Sequence, residues 1–106
     1  MIKFPVLFSP ISERDIEDHY VWIASENKKS ADKLLTSIQN IIGKLSSMPE
    51  IGTLFPISQN LSQKIRYLPI SGFKHHLIFY AVTKDHIRVL RLLHSSRDLN
   101  DITKWE

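Results

Sequence analysis

The chain has 106 residues, which is enough for one hydrophobic core but not for two, so we expect a single domain over residues 1–106. Its composition, 42% hydrophobic and 24% charged, is typical of a folded domain, and the lack of cysteine excludes disulfides, thiolate metal sites and a cysteine nucleophile. The longest apolar run, LIFYAV at 77–82, is too short to cross a membrane, and the N-terminus has no signal-peptide pattern. We therefore predict a cytoplasmic protein.

The net charge of +3 is concentrated in the second half of the chain. Residues 1–50 contain six Lys/Arg and seven Asp/Glu, whereas residues 51–106 contain eight and four, so the two parts carry −1 and +4. A basic half favours an acidic partner, either protein or nucleic acid, although a plain solvated surface explains it equally well. The Lys/Arg density is below that of a dedicated nucleic-acid binder.

Two amphipathic helices are predicted after a short N-terminal strand, KFPVLFS. Ser9 and Pro10 form a typical helix start, in which the serine caps free amides and the proline occupies the first helical position. The polar stretch at 25–30 ends this helix, and Ser30 begins a second one that Pro49 stops. The short polar turn between them predicts an antiparallel helical hairpin. The apolar residues of the second helix share one face: Ala31, Leu34, Leu35, Ile38, Ile41, Ile42 and Leu45.

From Lys64 onward the periodicity changes to that of strands. KIRYLPI, FKHHLIFYAV and HIRVLRLLH are separated by the short turns SG and TKD, which predicts an antiparallel meander. Both faces of the middle strand are apolar, so we expect it to be central and covered on both sides. The order β-α-α-β-β-β predicts an α+β fold in which the helical hairpin packs on an antiparallel sheet. The tail at 99–106 is predicted to form a short helix.

Histidines are the first candidates for chemistry. His75 and His76 are adjacent in a predicted strand, so their side chains point to opposite faces and cannot readily chelate one ion. One ring should be half-buried and the other exposed. No third ligand lies at a suitable spacing nearby, and we expect neither a metal nor another cofactor.

Cationic residues of the sheet half are the second candidate, because they could converge on one surface that binds a target. Arg91 lies in line with apolar residues such as Val89 and Leu93, so it must reach a carboxylate or emerge at the sheet edge. It is therefore either half of a structural ion pair, with Asp98 or Asp85, or a binding residue. The candidate target-binding residues are Arg66, Lys74, Arg91, His94 and Arg97.

Four segments together resemble one known group of proteins. They are FSPISERDIEDHYVWIA, ADKLLTSIQNIIGKLSSMPEIG with its Pro-x-x-Gly exit, KIRYLPISGFKHHLIFYAV, and IRVLRLLHSSRD. In order and spacing they resemble the RelE/ParE superfamily of type II toxin–antitoxin toxins, and more closely its ParE branch, over about residues 3–98. The resemblance implies a small toxin that arrests bacterial growth and that a cognate antitoxin holds inactive by wrapping around it.

The two branches of this superfamily imply different activities. The ParE branch is associated with poisoning DNA gyrase by binding, and the RelE branch cuts mRNA in the ribosomal A site. Cleavage needs cations around the scissile phosphate and a residue that moves protons, commonly a tyrosine or a histidine–tyrosine pair near the C-terminus. This chain has no tyrosine after Tyr80, and His94 has no evident acid partner in the sequence.

A gyrase-binding toxin is therefore the leading prediction, with the cognate antitoxin and DNA gyrase as partners and no small-molecule ligand. One alternative is a ribosome-dependent mRNA endonuclease. The other is an inactive family member that acts only as a binding module. If the chain is a nuclease, the residues expected at the scissile phosphate are His94, Arg66, Arg91 and Arg97.

Overall fold

The computed structural model describes residues 3–56 and 63–95, so the helix predicted at 99–106 lies outside the described residues. No helix within these two ranges is long and apolar enough to span a membrane. The two helices are α1 (Pro10–Glu26) and α2 (Lys28–Ser47). The five strands are β1 (Val6–Phe8), β2 (Thr53–Leu54), β3 (Ile65–Ile70), β4 (Phe73–Val82) and β5 (Ile87–His94).

The helical hairpin forms as predicted, with a tighter turn than the sequence indicated. The hydroxyl of Ser9 accepts a hydrogen bond from the Ser12 amide at 3.1 Å, and Pro10 follows as the first helical residue. Asn27 is the only residue between the helices, and its side chain caps α2 by accepting from the Ser30 amide at 3.2 Å. Because one capping residue is enough, α2 begins at Lys28 rather than at Ser30.

The sheet has the order β1-β5-β4-β3-β2, which confirms the predicted α+β fold. The strands from β2 to β5 are antiparallel, whereas β1 runs parallel to β5, so the sheet is mixed rather than wholly antiparallel. The parallel arrangement of β1 and β5 is held in place at Ser9, the residue that connects β1 to α1. Its amide donates to the Val89 carbonyl and its hydroxyl to the Leu90 carbonyl, both at 3.0 Å, which holds β1 alongside β5. The two-residue β2 was not predicted.

Both faces of β4 are buried, as the sequence predicted. Ile78 and Tyr80 lie in the larger core beneath the helices, and Phe79 and Ala81 lie in a smaller core on the opposite face. A register shift opposite Phe79 and Tyr80 interrupts the alternation of β5. Leu93 consequently belongs to the smaller core, although simple alternation had placed it on the face of Val89.

Candidate functional site

The structure places the predicted target-binding residues at two different ends of the sheet. Arg66 pairs with Tyr80, which in turn pairs with Val89, whereas His94 pairs with His76. Four residues along β4 and two strand spacings across the sheet therefore separate Arg66 from His94. This corresponds to roughly 17 Å between their Cα atoms. The side chain of Lys74 and all of Arg97 lie outside the described part of the structure. The expected convergence on one surface is not seen for Arg66 and His94.

Arg91 forms an ion pair with α1. Its Nε donates to Asp15 Oδ2 at 2.7 Å and a terminal nitrogen donates to Oδ1 at 3.0 Å. The two side chains are only 19% and 13% exposed. The interpretation of Arg91 as half of an ion pair is thus confirmed, with Asp15 as a partner that was not predicted. Asp85 contacts His86 at 2.8 Å instead, and Asp98 lies outside the described residues.

Asp15 also accepts a backbone hydrogen bond from β5, beyond the point where β1 ends. The last pair between these strands is Phe8 with Val89, so Leu92 has no strand of the described residues on that side. Asp15 accepts from the Leu92 amide at 3.1 Å, and the ring of His19, one helical turn later, donates to the Leu92 carbonyl. Two side chains of α1 therefore replace the missing strand.

Four of the five histidines form a cluster where α1 crosses the ends of β4 and β5. The ring centroids of His19 and His76 are 4.8 Å apart, those of His76 and His94 are 5.2 Å apart, and those of His75 and His94 are 5.8 Å apart. As predicted, His75 is exposed and His76 is half-buried. Sequence reasoning missed the cluster because it depends on the β4–β5 register and on the packing of α1. Among the described residues, no group of three or more ligands is arranged to hold a metal ion.

The cluster keeps its inner rings uncharged at neutral pH. Burial, followed by the charges of His19, His94 and His75, lowers the pKa of His76 from its usual 6.5 to about 4. Burial also lowers the pKa of His19, although Asp15 and the hydrogen bond to Leu92 oppose this effect.

We expect the protein to lose stability as the pH falls from about 7 toward 4. Below pH 6.5 this histidine becomes protonated in the unfolded chain but stays neutral in the folded protein until the pH approaches 4. The free energy of unfolding therefore decreases as the pH falls through this window and keeps its full value above it. The complete shift corresponds to about 3 kcal/mol. Because the ring is partly exposed, solvent screening reduces the expected loss to about 1–2 kcal/mol.

Urea unfolding at several pH values measures this loss. The His76→Gln variant should show a flatter pH dependence than the wild type. The exposed His75→Gln variant should change the slope much less, because His75 contributes least to the low pKa of His76. Equal slopes in all three proteins would show that the cluster does not govern acid stability.

At the other end of the sheet, Arg66 is held by backbone carbonyls. A terminal nitrogen donates to the carbonyls of Gly52 at 2.9 Å and Glu50 at 3.4 Å. The Gly52 amide in turn donates to the hydroxyl of fully buried Tyr80 at 2.8 Å. Burial raises the pKa of Tyr80, so this hydroxyl stays protonated. Among the described residues carbonyls rather than a carboxylate hold Arg66, so no ion pair offsets its charge. It lines a cleft of about 510 Å³ together with Lys64 and Glu50.

Both a family model and solved structures match the chain. The family model described as ParE toxin of type II toxin-antitoxin system, parDE, matches residues 6–99. Among solved structures, the chromosomal ParDE TA system from P. aeruginosa superposes with a TM-score of 0.67 at 16% identity, over 87% of this chain and 96% of that one. At this identity the structural match shows a common fold. No curated protein sequence matches the chain.

Proposed function

Because the chain belongs to the ParE toxin family of type II toxin–antitoxin systems, we propose that it arrests bacterial growth by binding and poisoning DNA gyrase. A cognate antitoxin neutralises it by covering part of its surface. The chain then acts as a binding protein whose effect requires no chemistry of its own.

The separation of Arg66 from His94 is the observation that supports binding over cleavage. A nuclease would need these cations around one scissile phosphate. A separation of roughly 17 Å between their backbone positions, with the Arg66 guanidinium held at the Gly52 carbonyl, disfavours contact of both with one phosphate. The surface of a large protein target spans this distance easily. Arg91, the third expected cation, already donates to Asp15 through two nitrogens.

Inhibition of gyrase tests the proposal directly. Purified toxin added to gyrase and relaxed plasmid should reduce supercoiling and increase the amount of cleaved DNA. If supercoiling is unaffected at toxin concentrations that still arrest growth, gyrase is not the target.

Substitutions at both ends of the sheet should weaken the inhibition of gyrase. We expect Arg66→Ala and His94→Ala each to raise the concentration for half-inhibition by about tenfold, as loss of a contact worth 1–2 kcal/mol does. Lys29→Ala, an exposed cation at the start of α2, is the matched control and should have no effect. Thermal unfolding checks that each variant is folded. An effect at only one of the two ends would contradict a contact that spans the sheet.

The histidine cluster favours a second candidate, a ribosome-dependent mRNA endonuclease. In the structure the ring of His94 lies near those of His75 and His76. Histidine side chains are common general acids and bases in catalysis. Mapping mRNA 5′ ends in a translating extract distinguishes the candidates, because new ends that depend on His94 would support cleavage.

A further inference from the structure

The outer face of α1 presents large apolar side chains to solvent. Trp22 is 70% exposed, Val21 is 60% exposed and Ile11 is 45% exposed. Arg14 and Asp18 are exposed as well. The five residues recur at i, i+3, i+7, i+10 and i+11, the spacing that places side chains in one stripe along a helix and forms the seam where two helices pack together.

The two charged residues of this stripe lie between its apolar ends. Within residues 3–56 and 63–95, neither Arg14 nor Asp18 forms an ion pair. Asp15 differs from them, because it faces the sheet and pairs with Arg91. A helix that packed along the stripe would therefore have to place a carboxylate opposite Arg14 and a cation opposite Asp18, with apolar residues at both ends.

A second copy of α1 meets these requirements when it runs antiparallel to the first. With Arg14 opposite Asp18 of the second copy, Ile11 falls opposite Val21 of that copy, because each apolar residue lies three positions beyond the charged one. Trp22, one position further, then lies against the other side of Ile11. Every contact occurs twice, as two-fold symmetry requires, so the stripe is its own complement.

We propose that the protein forms a symmetric dimer through the outer faces of two antiparallel α1 helices. The acidic residues Glu13 and Glu17 do not oppose it. They lie on the flank of α1 that also carries Tyr20, whose hydroxyl donates to Asp32 of α2, so they remain outside the seam. Two helices bury less surface than a standard interface, and we therefore expect association in the micromolar range.

The dimer leaves the proposed target-binding positions free. Arg66 belongs to β3 and His94 to β5, and neither lies on the outer face of α1. The inference therefore does not depend on gyrase as the target, and its test requires no measurement of activity.

Sedimentation equilibrium of the full chain, at loading concentrations from about 5 to 200 μM, tests the dimer. The wild type should show a reversible equilibrium between monomer and dimer. Arg14→Asp and Asp18→Arg each turn two attractive contacts into repulsive ones, so each should weaken association about tenfold. Combined in one chain, the two substitutions restore complementary charges and should return the dissociation constant to near that of the wild type. An equimolar mixture of the two single variants should likewise associate.

Variants outside the charged pair complete the test. Lys33→Asp reverses an exposed charge on α2 and should leave the dissociation constant unchanged, whereas Trp22→Ala should raise it about tenfold. Thermal unfolding checks that each variant is folded. A wild type that stays monomeric at about 200 μM would overturn the proposal. A dimer that is unaffected by the reversals at Arg14 and Asp18 would overturn it too, because another surface would then form the contact.

Discussion

Replacing Asp15 with alanine is expected to lower the free energy of unfolding by about 3–4 kcal/mol. The substitution leaves the mostly buried Arg91 guanidinium without its carboxylate and the Leu92 amide without its acceptor. Breaking a buried ion pair from one side costs more than the pair contributes, because an uncompensated charge remains. Urea unfolding followed by circular dichroism measures the loss.

Variants on the same helix separate this effect from a general change in charge. Asp18→Ala removes an exposed carboxylate from α1 and should change stability by less than about 0.5 kcal/mol. In a double-mutant cycle, adding Arg91→Ala to Asp15→Ala should cost much less than Arg91→Ala alone costs in the wild type. Additive losses would show that the two side chains are not coupled.

Replacing Gly52 with alanine should destabilise the protein by about 3 kcal/mol. The new Cβ would lie 2.6 Å from the Tyr80 hydroxyl oxygen and 2.9 Å from the Tyr67 carbonyl oxygen. Tyr80 is fully buried and the other atom belongs to the backbone, so neither can move aside easily. Relief of the overlap would break the hydrogen bond from the Gly52 amide to Tyr80.

Gly43→Ala is the matched control for this substitution. Gly43 is an exposed residue within α2, and a methyl group there would contact nothing within 4 Å. Because alanine favours helices by about 1 kcal/mol over glycine, this variant should be more stable than the wild type. Thermal unfolding of the two variants should shift the midpoint in opposite directions. A similar midpoint for both would mean that the contact between Gly52 and Tyr80 is not tight.

The sequence was most informative where hydrophobic periodicity reports burial directly. The α2 stripe predicted buried Ala31, Leu34 and Leu45, and all three are fully buried. Leu35 belongs to the same stripe but is 39% exposed, because the helix packs on the sheet through a narrower face than the stripe covers. The two-sided burial of β4 followed in the same way from its apolar residues on both faces.

Contacts between distant parts of the chain were not predictable in this way. Asp15, near the start of α1, pairs with a residue 76 positions away. His19 on the same helix contacts both Leu92 and His76. A single sequence contains no signal for such pairs, since their formation depends on strand register and on the angle at which α1 crosses the sheet.

The parallel pairing of β1 with β5 has a consequence for synthesis of the protein. Val6 pairs with Ile87, so the first strand cannot find its neighbour until most of the chain has left the ribosome. The helical hairpin depends mainly on local contacts and can form early, whereas the complete sheet requires closure of a loop of about 80 residues. A nascent chain interrupted before β5 would expose an uncovered sheet and would lack His94. We therefore expect truncated translation products to be harmless to the cell that makes them, so that toxicity arises only after synthesis has passed the last strand.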